Sequence, residues 1–388
     1  MHGTSVVVGV GESTYYRAGR APESEFQLAC IAIRNAVADA GLQMSEIDGF
    51  VTYMDFQRND ALRLMTALGT GDLSFSAMSW PGGGNISAMP IQIADAAITA
   101  GYAKNIVVYR ALAQGQFGRY GRPPAVPYAT GAAAFKTPYG EASPAMNNAM
   151  PFTRYMHEYG VTHEATCNLS LASYAHAQRN PRAIRYGQPL TREDYYASRW
   201  IVYPYRLFDC AQENDGAAAM VISSADRARD LKQQPVYVKS AAAGAEQRAG
   251  LQATYNEPYF PYARRLHVAD RLWSQAGIGP KDVQVAQFYE NFTGSTVMCI
   301  SDMGFAPPDG IEEFLSNGNI QWPNGKLPIN TSGANLAEAY IHGFENQLEA
   351  VRQVRGQSTS QVENVEFSLA VGGPGAPVGS AALYSKQA

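Results

Sequence analysis

Three glycine-containing turns carry the residues whose types and spacing suit chemistry. Leu327–Gly343 (LPINTSGANLAEAYIHG) reads as a strand end, a turn and the start of a helix. Such a turn aims backbone N–H groups and the positive end of a helix at an anion or a polarised carbonyl. Ser332, Gly333 and Ala334 are small, so a ligand backbone or thioester can approach closely. Gln287–Ser295 (QFYENFTGS) has the same strand-to-turn character, and Ser79–Ala88 (SWPGGGNISA) sets three consecutive glycines before another helix. The expectation is that all three turns meet in one pocket. Its chemistry then depends on the side chains they bring: Tyr289 and Glu290 from one, Tyr340 and His342 from another, and no cysteine from any.

The elements that must position these turns follow a βα rhythm. Ser5–Val10 is a short apolar run ending in a buried strand pattern. Phe26, Ala29, Cys30, Ile33, Ala36, Val37 and Ala40 recur at helical spacing, and Gly41 closes that helix. Ile47–Tyr53 predicts a strand, Ala61–Leu68 a short helix, Ile86–Ala100 a helix, and Asn105–Arg110 a strand buried on both faces. The alternation argues for an α/β fold. Residues from about 114 to 204 break it with dense Gly, Pro, Tyr and Arg, then helices near Pro151–Glu158 and Glu164–Arg179, as an inserted loop subdomain does. The rhythm resumes at Asp215–Ser224, where Asp215 is expected to shape a turn.

The second half repeats the first. Ala32–Phe50 aligns with Val268–Ala286, pairing Gly41 with Gly277, Leu42 with Ile278, Glu46 with Asp282 and Ile47 with Val283. GGGNISA followed by NIVVYRA is matched, in the same order, by SGANLAE followed by NVEFSLA. Two matching segments in one order imply two similar αβ halves packed face to face, residues 1–230 and 235–388.

Composition sets the remaining bounds. The 388 residues are 46% hydrophobic and 16% charged, which is the make-up of a well-buried globular chain. A net charge of −4 gives no electrostatic case for binding nucleic acid or a membrane surface. Cys30, Cys167, Cys210 and Cys299 are scattered, without a CxxC, as reduced core thiols are. No signal-peptide pattern opens the chain, and its best apolar run, near Ala94–Ala113, is broken by Lys104 and Arg110. A soluble cytoplasmic protein is expected.

A duplicated αβ unit with glycine-rich turns at its strand ends resembles the thiolase superfamily, and along essentially the whole chain it is most similar to the sterol-carrier-type and lipid-transfer-protein branch. Pro189–Ala219 (PLTREDYYASRWIVYPYRLFDCAQENDGAAA) is the most specific stretch. The resemblance implies the thiolase fold, two βαβ-rich halves layered αβαβα. It also locates a departure. Thiolases carry a nucleophilic cysteine at the first glycine-rich turn; here Gly82 falls at about that position. Ala370 stands where their second cysteine precedes a Gly-Gly turn, Tyr340 where their GHP histidine stands, and Tyr289 where their Asn or His stands.

A pocket shaped for a coenzyme A thioester would then hold two phenols. That combination resembles the steroid side-chain aldolases of the lipid-transfer-protein type, which cleave a β-hydroxyacyl-CoA side chain from a sterol to release a 17-ketosteroid and propionyl-CoA. The resemblance implies Tyr289 and Tyr340 as acid and base, in either assignment. It implies Gly82, Gly83, His342, Gly372 and Gly373 as substrate or oxyanion contacts. No cofactor or metal is expected in this chain. A homodimeric core is expected, with a separate partner chain bearing an OB-fold and a zinc ribbon. Glu290 is expected to turn its carboxylate away from the phenols. Tyr255 and Tyr259 are further candidates to line a steroid cavity. Arg179, Arg182 and Arg185 either meet coenzyme A phosphates or form a solvated basic face. Two other readings remain: a non-catalytic acyl-CoA or lipid carrier that kept the pocket, and a thiolase with a different nucleophile.

Overall fold

The computed structural model describes residues 5–54, 58–79, 82–118, 129–135, 137–228, 230–245, 266–373 and 378–388. Its strands are β1 (Ser5–Glu12), β2 (Tyr16–Arg17), β3 (Gly49–Tyr53), β4 (Phe75–Ser79), β5 (Asn105–Ala113), β6 (Trp200–Val202), β7 (Tyr205–Arg206), β8 (Asn214–Ser224), β9 (Val236–Gly244), β10 (Val285–Phe288), β11 (Phe367–Gly372) and β12 (Gly379–Ser385). The main sheet runs β10-β11-β12-β9-β1-β8-β5-β3-β4, with β2 added to β8. β3 is parallel to β4 and β5, and β10 is parallel to β11.

The duplication is visible in this order. Reading outward from the seam gives β1-β8-β5-β3-β4 on one side and β9-β12-β11-β10 on the other. A single parallel bridge, Ala286 to Ile329, occupies the place of a fifth strand in the second half. The halves join through a short antiparallel contact, Val6 with Tyr237 and Val7 with Val236. The aligned segments also match locally. The helices Glu25–Ala40 and Leu266–Ala276 both run into left-handed glycines, Gly41 and Gly277, and each is followed by a 3-10 turn and a strand. Ser24 and Gln27 close a capping box at the start of the first of these helices.

Three hydrophobic clusters correspond to the layers. Helix Glu25–Ala40 packs on the outer face of β1, β8 and β5, and helix Leu266–Ala276 on β9 and β12. Helices Met89–Thr99 and Phe344–Arg355 lie between the two half-sheets and touch strands of both, which completes the αβαβα stack. The segment after β5 contributes helices Pro144–Tyr159 and His163–Ala177, and these pack in the cluster built from the second half. Asp215 ties two turns, accepting from the N–H of Gly19 at 2.7 Å and of Gly115 at 2.8 Å.

One element differs from the sequence expectation. The turn at Ser332–Ala334 leads into only one helical turn, Ala334–Ala337, and the long helix starts at Phe344. His342 (φ 52°) and Gly343 (φ 75°) adopt left-handed backbone, which ends any continuous helix between them. Tyr340 therefore sits on an irregular loop between the short turn and the long helix.

Candidate active site

The three turns meet, and the two tyrosines meet within them. Tyr289 follows the last residue of β10, and its N–H donates to Val371 O of β11 at 2.9 Å, prolonging the parallel pairing by one residue. Its ring lies close against glycine backbone. A β-carbon on Gly84 would stand 2.1 Å from Tyr289 Cε2, one on Gly343 2.9 Å from Cδ2, and one on Gly373 2.6 Å from Tyr289 O. Tyr340 is held by its N–H, which donates to Asn214 Oδ1 at the start of β8. The phenol oxygens of Tyr289 and Tyr340 are 2.7 Å apart, one donating to the other, and the rings lie 6.1 Å apart at 27°.

His342 stands edge-on to Tyr340, with ring centroids 5.3 Å apart. Its Nδ1 faces Arg110, with Nη2 at 3.2 Å and Nε at 3.4 Å. A guanidinium cannot accept, so Nδ1 is the acceptor and the ring proton sits on Nε2. Burial, helped by the nearby Arg110 and Arg58 cations, holds the imidazole well below its usual range, so the ring is neutral. The Tyr53 hydroxyl donates to His342 O at 2.8 Å and anchors the loop from below.

Glu290 turns away from the phenols. Its carboxyl accepts from Ser173 Oγ at 2.5 Å and Asn330 Nδ2 at 2.7 Å, and burial pushes its pKa up to about 8. The cysteines stay outside the turns: Cys30, Cys167 and Cys299 are buried, and Cys210 is half-buried. Burial raises Cys167 to about 12 and Cys210 further, so neither is a thiolate at neutral pH.

The remaining candidate residues take the following places. The Gly83 N–H is taken up by Asn85 Oδ1 at 2.8 Å, so it is not an open oxyanion donor. A β-carbon on Gly372 would stand 2.4 Å from Asn85 O and 2.6 Å from Ser380 Oγ, so that glycine serves close packing of two turns. Gly373 likewise lets the chain pass beside Tyr289. Gly82 lies in the first turn with φ 148° and packs on Ile86. The glycine that shapes the phenol pair is Gly84, one residue beyond those singled out. The arginines also resolve individually. Arg182 pairs with Glu12 at 3.1 Å and Glu338 at 3.8 Å, Arg179 covers the Trp322 ring at 4.1 Å, and Arg185 bonds Gln188. Arg182 is thus a structural ion-pair partner. Arg110, which carries no signal in the sequence beyond interrupting an apolar run, proves to be buried at the site. Tyr255 and Tyr259 lie outside the described residues.

Comparison with known proteins agrees with this architecture. A family model described as thiolase C-terminal domain-like matches residues 263–383. The chain is 39% identical over 384 residues to a 17-hydroxy-3-oxo-4-pregnene-20-carboxyl-CoA lyase of Mycobacterium tuberculosis, covering 97% of this chain and 98% of the other. It is 36% identical over 382 residues to a steroid side-chain-cleaving aldolase of Thermomonospora curvata, covering 97% and 96%. Among solved structures, the Ltp2-ChsH2(DUF35) aldolase superposes with a TM-score of 0.91 at 34% identity, covering 99% of this chain and 98% of that one. With a shared fold, near-complete coverage and a phenol pair where its turns converge, this chain belongs to the thiolase-fold family of steroid side-chain-cleaving aldolases.

Proposed function

We propose that this chain cleaves a steroid side chain from its β-hydroxyacyl-CoA thioester by a retro-aldol reaction, with Tyr289 and Tyr340 moving the protons. One phenolate takes the proton of the β-hydroxyl. The Cβ–O bond becomes a carbonyl, the Cα–Cβ bond breaks, and its electrons pass to the thioester as an enolate. A phenol then protonates Cα. The products are a ketosteroid and a short acyl-CoA such as propionyl-CoA. Charge and protons balance: the base has gained a proton, the acid has lost one, and a hop between the two oxygens restores the pair. No cofactor takes part.

The observation that carries the reading is the 2.7 Å contact between the phenol oxygens. Holding an unperturbed phenol ionised at neutral pH costs about 4 kcal/mol. A hydrogen bond from one phenol to the other's phenolate in a buried site offsets part of that cost. The enolate is assigned to backbone N–H groups of the convergent turns, the donor type suited to charge that develops during reaction.

The assembly is proposed on the same footing. One solved relative is an Ltp2-ChsH2(DUF35) aldolase, and we assign this chain a separate partner of the DUF35 kind, bearing an OB-fold and a zinc ribbon. A homodimer is assigned to the core, since β4 ends the sheet and pairs only with β3 among the described residues. We assign the assembly to the cytoplasm. No helix among the described residues is long and apolar enough to cross a membrane.

The test is turnover of a 17-hydroxy steroid 20-carboxyl-CoA thioester by the protein with its partner chain, following the free ketone. Tyr289→Phe and Tyr340→Phe are each expected to lose cleavage by at least about 100-fold while melting within a few degrees of the parent. Full activity in both variants refutes the assignment. Tight binding of the thioester without any turnover by the parent points instead to a carrier.

A further inference from the structure

A run of hydrogen-bonded side chains links the backbone beside one phenol to the backbone beside the other. The Glu290 N–H, one residue after Tyr289, donates to Asn335 Oδ1 at 2.9 Å. Asn335 Nδ2 donates to Glu345 Oε1, and Glu345 Oε2 accepts from the Ile341 N–H, one residue after Tyr340, at 3.1 Å. The chain of donors and acceptors therefore runs from the backbone beside one tyrosine to the backbone beside the other. Asn335 Nδ2 also lies 3.5 Å from Ala339 O, on the near side of Tyr340, and Asn335 O accepts from Gln212 N. Both side chains are buried, Asn335 fully, so water does not compete for these bonds. Left-handed backbone at His342 and Gly343 means that no helix fixes the Tyr340 loop from within.

We infer that Asn335 and Glu345 form a strut that holds the Tyr289 and Tyr340 oxygens at hydrogen-bond distance, acting as positioning residues for the phenol pair. The inference rests on the reading of those phenols as the reacting groups, and goes beyond it by naming what holds them in register.

Donor and acceptor identity makes the strut testable by exchange. In Asn335→Asp, the amide N–H₂ that donates to Glu345 Oε1 is lost, and a second carboxyl enters a site where burial already holds Glu345 well above the usual carboxylate range. In Glu345→Gln, one amide N–H₂ faces another. In the double variant Asn335→Asp/Glu345→Gln the Asp accepts from both the Glu290 N–H and the new Gln amide, while the Gln oxygen accepts from the Ile341 N–H, so the run of bonds closes again. Each single variant is expected to lower kcat about 10- to 100-fold with KM changed little, because misplacement of about 1 Å at reacting groups costs on that order. Crystal structures of the singles are expected to show the phenol oxygens beyond hydrogen-bond range, and the double to regain most of kcat. Single variants with parental kcat and the 2.7 Å contact intact overturn the strut. So does a double variant no better than the worse single. If both singles fail to fold, the double decides: folded with the phenols in contact supports the strut, and unfolded overturns it. If the parent does not cleave the steroid thioester at all, the proposed reaction fails, and the oxygen separation in the variants still decides the strut.

Discussion

A β-carbon at position 84 has nowhere to go: it would stand 2.1 Å and 2.4 Å from two atoms of the Tyr289 ring and 2.8 Å from the carbonyl carbon of His342. Glycine there is what allows a ring to rest on backbone from one side while the Tyr340 loop closes from another. Gly84→Ala must push the Tyr289 ring off the backbone or part the two turns. The overpacking costs about 1–3 kcal/mol of stability. The larger effect falls on the reaction, since the displaced ring carries one of the two oxygens. Ketosteroid formation is expected to drop by about 100-fold in the folded variant. Parental turnover in Gly84→Ala would show that the ring contact does not govern the chemistry. Arg110 illustrates the same scale differently. It fixes the tautomer of His342 and helps keep that imidazole neutral, so His342 is suited to donate from Nε2 and not to carry a positive charge beside Tyr340.

At the scale of elements, the sheet leaves one edge with a telling pattern. β4 pairs with β3 from Phe75 opposite Gly49 to Ser79 opposite Tyr53, and Met78 is 47% exposed on it. An edge strand with an exposed apolar side chain is a template for pairing with a second copy. In a two-fold pairing each substituted position lies near its symmetry mate or its neighbours. Met78→Asp therefore sets like charges close together and is expected to convert the proposed dimer to monomer by light scattering. A dimer that persists with unchanged molar mass assigns the core interface to another surface. β4 also leads directly toward the Gly82 turn, so the same strand that ends the sheet delivers one wall of the phenol pair.

Across the whole molecule, buried titratable groups set a pH dependence with a definite sign. Burial raises Glu290 to about 8, Glu338 to about 7 and Asp209 to about 6. Unfolded carboxyls ionise near pH 4, so above that pH the unfolded chain has released protons that the fold retains, and stability falls as pH rises toward each folded value. Buried histidines act in the opposite sense: His176 is lowered to about 4, so its contribution is gained between pH 4 and 6.5 and levels off above. From pH 6.5 to 8 the loss from the raised carboxyls outweighs the remaining gain from the lowered histidines. The denaturation midpoint is expected to fall over that interval, and to fall less in Glu290→Gln. A midpoint that is level or rises from pH 6.5 to 8 in the parent contradicts the assignment of Glu290 and Glu338 as retained protons. The central layer explains why so many polar groups are buried. Phe344–Arg355 reads as a polar helix, yet Glu345, Gln347, Glu349 and Gln353 on it are enclosed between the half-sheets. Gln347 bonds Ser87 and Tyr384, and Glu349 bonds Thr331 and Ser358.

By itself the sequence determined the duplicated α/β plan, because strand and helix periodicities and the glycines that end helices are local properties, and Gly41 and Gly277 mark equivalent places in both halves. It also determined that the convergent turns carry tyrosines and no cysteine, since residue identity at a turn is written in the chain. Only the tertiary structure decided that the phenol oxygens touch, that Gly84 and not Gly83 admits the ring, and that Arg110, Asn335 and Glu345 serve the same site. Those residues lie on elements separated by up to hundreds of positions, and their pairing depends on which faces the two half-sheets enclose. A polar side chain on a helix signals solvent in one dimension; enclosed between two sheets, it must find a partner, and here those partners set the geometry of the site.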